Sequence, residues 1–311
     1  MNRESSPSER VLVYDRISAN KRETWLLMIL FVAFTVGIAW LFSFAFLGGS
    51  IGVLGITGVL IIGYAFFSYF GATAVVLNIS GAHEVTKEEE WELVRRVENL
   101  CIGAGLPLPR IWVLEDSAPN AFATGRDPRH AHVVVTRGLL DKLEPIELEG
   151  VLAHELSHIG NYDIRVMTIA TVLVGVIALI SDIGLRLTFF GAGRRSGNRD
   201  KNGGVAQLVI IALALLAAIL APLIAQIIRL AVSRKREYLA DASGALLCRN
   251  PDALARALEK IAGDHEPLEA ANKATAHLYI ENPLKEHQSF LNGLFNTHPP
   301  VEDRIRLLRA M

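Results

Sequence analysis

Cysteine is nearly absent from this chain. Cys101 and Cys248 are the only two in 311 residues, and no CxxC spacing occurs. That argues against a disulfide framework and a zinc knuckle, and predicts two packed thiols in a reducing compartment. Net charge is nearly absent as well: 31 Lys and Arg stand against 32 Asp and Glu, a formal −1. No basic patch interleaves with aromatics, so nucleic acid is not an expected partner. A cleavable secretory signal is also missing. The first apolar stretch is too long for one, a second follows almost at once, and no small-residue cleavage pattern precedes it.

Charge is missing altogether from four long stretches: 25–46, 51–77, 166–181 and 205–228. Each is near or above the roughly 20 residues that cross a hydrocarbon core about 30 Å thick. With 51% hydrophobic residues and a mean hydropathy of +0.34, four such runs argue against buried core helices of a soluble protein. The expected class is a mainly α integral membrane protein with up to four hydrophobic helices. Residues 1–24 carry Arg3, Arg10, Arg16, Lys21 and Arg22, whereas the link at 48–50 carries no charge. The positive-inside rule then places the N-terminal segment in the cytosol and the link outside. The expected organisation is a helical hairpin over 25–77, a cytosolic domain over 78–165, a second hydrophobic hairpin over 166–230, and a cytosolic tail over 231–311.

The 78–165 stretch reads as a small folded unit. Thr86 followed by Glu89 is a capping-box signature, leading into Trp91, Val94, Val97 and Cys101 at helical spacing. Gly103, Gly105 and Pro107 stop that helix. Residues 111–114 and 132–136 read as short strands, separated by the turn-rich PNAFATGRDPRHA at 119–131. Pro145 then opens a helix that carries VLAHELSHIGNYD, residues 151–163. In the tail, Pro251 opens a helix over 252–262, and Pro299–Pro300 open a final one ending at Met311.

HELSH places His154 and His158 on one helical face, one turn apart, an arrangement suited to tetrahedral Zn²⁺. Glu155, directly after the first histidine, is positioned as a general base. Zinc would supply a water whose pKa falls to about 7 and a Lewis acid for the scissile carbonyl. A catalytic site of this kind needs a third protein ligand. The glycine-rich basic loop 191–204 is centred near residue 198, about forty residues from His158 and about forty from Glu237. A helical hairpin turning there brings those two residues side by side. Glu237 and Asp241 again share one helical face, so Glu237 is a candidate ligand, and Asp241 a candidate acceptor for a ligating histidine's outer N–H. Topology stays open. Either the hairpin spans and a loop with Arg194, Arg195, Arg199 and Lys201 is translocated, or it stays on the cytosolic side.

HELSH with Asp163, a hydrophobic hairpin, then SRKREYLAD resembles the HtpX-type membrane-bound zinc metalloproteases, relatives of the CAAX prenyl protease. NKRETWLLM at 20–28, PNAFATG at 119–125, VVVTRGLL at 133–140, IENPL at 280–284 and THPP at 297–300 are also similar to that family. The resemblance implies a zincin-like domain with a small β-sheet and one Zn²⁺ per chain held by His154, His158 and Glu237. It implies Glu155 as catalytic base and Asp241 behind the ligands. Asp163 matches the family pattern, in a supporting or purely structural role. Asn120, Ala121 and Phe122 fall in the segment that lines the family's substrate cleft, where a substrate adds as a strand. His298 matches a residue assigned to steadying the oxyanion, and Arg304 is a further candidate for orienting groups there. The other histidines, His83, His130, His132, His265, His277 and His287, read as surface or loop residues.

Eight residues separate His158 from Val166, which places the metal roughly 12 Å from the hydrophobic run. That spacing suits cutting at the membrane face, and the resemblance implies endopeptidase cleavage of misfolded or damaged membrane proteins at the cytosolic face of a prokaryotic inner membrane. Two other readings compete with it. A CAAX-type processing protease shares the zinc core but carries more spans enclosing a chamber. A zinc transporter or sensor needs polar or ionisable residues inside its spans, and the first two runs have none. Oligomeric state is not legible in the sequence.

Overall fold

The computed structural model describes residues 13–46, 51–173, 234–271, 275–283 and 299–311. Most of the second hydrophobic hairpin, its basic loop, His287 and His298 lie outside these residues.

Two long helices open the chain, α1 (Val13–Phe46) and α2 (Ile51–Ser80). They pack together through Trp25 against Tyr69 and Phe31 against Tyr64, each pair with ring centroids 6.0 Å apart. Ile29, Val59, Leu60, Phe66 and Phe70 point outward and are exposed. Such an uncovered apolar surface is costly in water and ordinary in lipid. Among the described residues, Gly58–Ser80 is long and apolar enough to cross a membrane.

A four-stranded mixed sheet follows, in the order β1-β2-β4-β3. Its strands are β1 (His83–Glu84), β2 (Arg110–Leu114), β3 (Ala121–Gly125) and β4 (Ala131–Thr136). β2 and β4 run parallel, and β3 pairs antiparallel with β4 in the register Ala123 opposite Val133. β3 corrects the turn-rich reading of 119–131. Alternation failed there because both faces of the sheet are covered, so all five residues of AFATG are buried. Ala121, Ala123, Val133 and Val135 join the core under the helix that carries HELSH. Phe122 and Val134 face the opposite way, onto Val76 and Leu77 at the end of α2. The sheet is thus clamped between that core and the base of the apolar hairpin.

Among the described residues, further helices are α3 (Trp91–Ala104), α4 (Arg137–Lys142), α5 (Pro145–Gly160), α6 (Arg234–Cys248), α7 (Pro251–Ala262) and α8 (Val301–Arg309). Glu89 accepts the Thr86 N–H at 2.8 Å, yet α3 starts only at Trp91. Gly105 closes it with φ of 65°, a left-handed conformation that glycine takes without steric penalty. Trp91 is exposed instead of lining the apolar face, which Leu93, Val94, Val97, Leu100 and Cys101 form. Both cysteines are free thiols. α5 is the central helix, packed against α6, α7, α3 and β3. Its tight seam with α6 requires Gly244, since a Cβ there would lie 2.9 Å from the His154 backbone nitrogen. Residues 163–173 are helical and buried, so the start of the third apolar run packs into protein.

Candidate metal centre

Pro145 at the first turn of α5 fixes its start, and Tyr162, at a positive φ of 62°, helps turn the chain after its end. Between them the 3.6-residue period stacks His154 and His158 on one face, both buried. α6 crosses that face and brings in Glu237. His158 Nε2 lies 3.2 Å from His154 Nε2. Glu237 Oε1 lies 3.6 Å from His158 Nε2, and its Oε2 3.8 Å from His154 Nε2. Ligands about 2.0–2.1 Å from a tetrahedral zinc stand about 3.3 Å from one another; the two imidazole nitrogens are close to that spacing, and one atom from each of the three residues lies within 4.8 Å of the others, a group that could hold a metal ion.

The outer nitrogens support the same assignment. His154 Nδ1 faces Asp241 Oδ1 at 3.0 Å, and His158 Nδ1 faces Asp163 Oδ2 at 3.0 Å. A carboxylate at each Nδ1 favours the proton there and turns each Nε2 lone pair inward. The surroundings are acidic: the buried carboxylates Glu155, Asp163, Glu237 and Asp241 face Arg304 and an Arg236 that also pairs with Glu23, an excess of negative charge that favours a cation.

Glu155 is buried, and the Ala123 backbone N–H of the edge strand β3 is near enough to favour its charged form slightly. Burial, with Glu237 adding repulsion, lifts its pKa to about 7. A general base works best with a pKa near the operating pH. Burial alone would depress His158. Asp163, Glu237 and Glu155 outweigh it and raise the pKa to about 9.

Arg304 from α8 is fully buried and grips Asp241 with two hydrogen bonds of 2.8 and 2.7 Å. Its Nη1 donates to the Ile280 carbonyl at 2.9 Å. Asn120 donates to the Glu281 carbonyl at 3.1 Å, and Ile280 donates its N–H to the Ala121 carbonyl at 3.0 Å. The PNAFATG and IENPL stretches therefore meet at the β3 edge. Phe122 packs edge-on against Tyr279, with centroids 4.9 Å apart. His277 is buried, with Nε2 3.3 Å from both Thr171 Oγ1 and the Met167 carbonyl, and so departs from the surface reading. His298 falls outside the described residues.

A sequence model described as "Peptidase family M48" matches residues 87–311. "Protease HtpX homolog" of Dictyoglomus turgidum is 47% identical over 300 residues, covering 96% of this chain and 94% of that protein. The protein of the same description from Tropheryma whipplei is 44% identical, covering 96% and 99%. The chain belongs to peptidase family M48. It is a membrane-associated metallopeptidase of the HtpX type. The crystal structure of S. mikatae Ste24p aligns with 94% of this chain and 66% of its own, at 20% identity and a TM-score of 0.48.

Two residues of this M48 peptidase escaped the sequence reading. Gly244 was one turn from Ala240 in ADASG, a small-residue spacing that signals close helix approach. Asn20 donates to Asp163 Oδ1 and to the Asn161 carbonyl, both at 2.7 Å. No spacing rule connects residue 20 with residue 163.

Proposed function

We propose that this metallopeptidase is a zinc endopeptidase in which His154, His158 and Glu237 hold one Zn²⁺ per chain. The observation that carries the reading is the convergence of those three ligand atoms beside buried Glu155. Bound zinc would supply Lewis acidity and an acidified water. Glu155 takes the proton from the attacking water and returns it to the leaving amine. Asp241 and Asp163 hold the imidazoles in their ligating tautomer. Asn120, Ala121 and Phe122 are the segment proposed to line the substrate cleft, where an added substrate strand would displace Ile280 from the Ala121 carbonyl. His298 is assigned to the oxyanion on the family resemblance.

The substrates we propose are misfolded or damaged membrane proteins, cut at the cytosolic face of a prokaryotic inner membrane. The exposed apolar surfaces of α1 and α2, joined to the sheet through Val76 and Leu77, support that placement. The boundaries 1–24, 25–77, 78–165, 166–230 and 231–311, with up to four hydrophobic helices, belong to the same proposal. Glu155→Gln is the test, assayed for cleavage of a membrane-protein substrate with zinc content measured alongside. Zinc retained with cleavage lost is the expected result; full activity would refute the mechanism.

A further inference from the structure

The 20–28 segment NKRETWLLM lies on α1, remote in sequence from HELSH, and its role is not explained by anchoring alone. Asn20 is 2% exposed and five residues before Trp25, where the apolar run begins. Its amide has two N–H groups, and both are spent on the turn that follows the HELSH helix. One goes to Asp163 Oδ1 and the other to the Asn161 carbonyl, each at 2.7 Å. Asp163 uses its second oxygen on His158 Nδ1. Glu23, three residues after Asn20, hydrogen-bonds Arg236, whose Nε lies 3.5 Å from that same Asp163 Oδ1. Lys21 sits over the Tyr162 ring, 4.6 Å from its centroid. Three residues of one helical turn therefore converge on the Asn161–Asp163 bend.

We propose that Asn20 is a positioning residue that couples the apolar hairpin to the metal site. Through Asp163 it sets the plane of the His158 ring, so the seating of α1 is felt at a metal ligand. A carboxylate with one oxygen tied down by two-point contact cannot rotate away from the imidazole that its other oxygen holds. Groups behind metal-bound histidines of this kind change metal affinity by roughly 10–100-fold when removed. The inference rests on the reading of His154, His158 and Glu237 as metal ligands.

The experiment uses the full chain in detergent micelles, with Zn²⁺ affinity measured by chelator competition and Co²⁺ as a spectroscopic probe. Asn20→Ala removes both donors; Asn20→Leu removes them at nearly constant volume and with good helix propensity. Both are expected to weaken Zn²⁺ binding about 10-fold, shift the Co²⁺ visible bands, and lower kcat more than they raise KM. Thr24→Ala is the control. Thr24 is buried on the same helix and its hydroxyl bonds only the Asn20 carbonyl, so the Co²⁺ spectrum and Zn²⁺ affinity should match the parent chain. Unchanged affinity and spectrum in both Asn20 variants overturn the proposal, as does an equal loss in Thr24→Ala. A parent chain that binds no Zn²⁺ overturns the metal-site reading itself, an outcome distinct from either.

Discussion

His154 and His158 stand one turn apart on the same helix, yet the two are held in different ways. Behind His154, Asp241 is locked by a bidentate Arg304 that is itself fully buried. Behind His158, Asp163 is held by the neutral amide of Asn20, and Arg236 stands off at 3.5 Å. The acidities follow. Burial pushes Asp241 up, but Arg304 outweighs it and drives the pKa down to about 2. Asp163 has no such grip, and burial leaves it raised above the ordinary value. One support is charged and made entirely within the protease body; the other is neutral and borrowed from the apolar hairpin. On the proposed metal site, a rigid ligand and an anchor-dependent ligand would thus share a single position.

The largest effect should come from breaking the charged support. Arg304→Leu leaves Asp241 as an uncompensated buried charge and should cost about 3–5 kcal/mol of stability, read from denaturant unfolding. Arg236→Leu should cost clearly less; equal losses would abolish the contrast between the two sides. Gly244→Ala comes next. It forces a Cβ against the His154 backbone and should destabilise by about 1–3 kcal/mol, with Zn²⁺ occupancy reduced because α5 and α6 are pushed apart. Normal stability and occupancy would show that this seam has slack.

The two carboxylates separate more finely. Asp163→Asn and Asp241→Asn should each weaken Zn²⁺ binding by roughly 10–100-fold. Asp241→Asn should lower the melting temperature of the metal-free chain the more, since it strands the bidentate Arg304, whereas Asp163→Asn takes the charge only from beside His158 and the more distant Arg236. Equal losses would contradict that.

The smallest effect concerns a histidine with no carboxylate behind it. His132 accepts the Trp112 indole N–H at 3.0 Å, and burial together with Arg110 lowers its pKa to about 4. Its folded pKa lies below the unfolded value near 6.5. Its contribution is therefore complete above pH 6.5 and is lost as pH falls toward about 4. The melting temperature of the parent chain should fall more steeply over that window than that of His132→Gln. Parallel curves would remove His132 as the contrasting case to His158, which its acidic neighbours move the opposite way.

Much of the site was legible because its parts obey local periods. HELSH on one helical face, Glu237 and Asp241 on another, and the apolar runs all follow from counting residues along a helix. Strands 111–114 and 132–136 announced themselves through β-branched runs. β3 did not, because a strand buried on both faces shows no alternation and its residues are mostly small. His277 looked like a loop histidine because burial under residues 163–173 is a long-range event.

The chain by itself determined which groups are the candidates for the chemistry: two imidazoles and a glutamate read from local helical patterns, with apolar stretches to place them at a membrane. Only the tertiary structure decided which acid stands behind which histidine, and that Arg304 and Asn20 hold those acids in place. The physical reason is that ligand type is a local property of a helix face. Orientation in a low-dielectric interior is set by whichever donors folding brings within about 3 Å, however far away they lie in sequence.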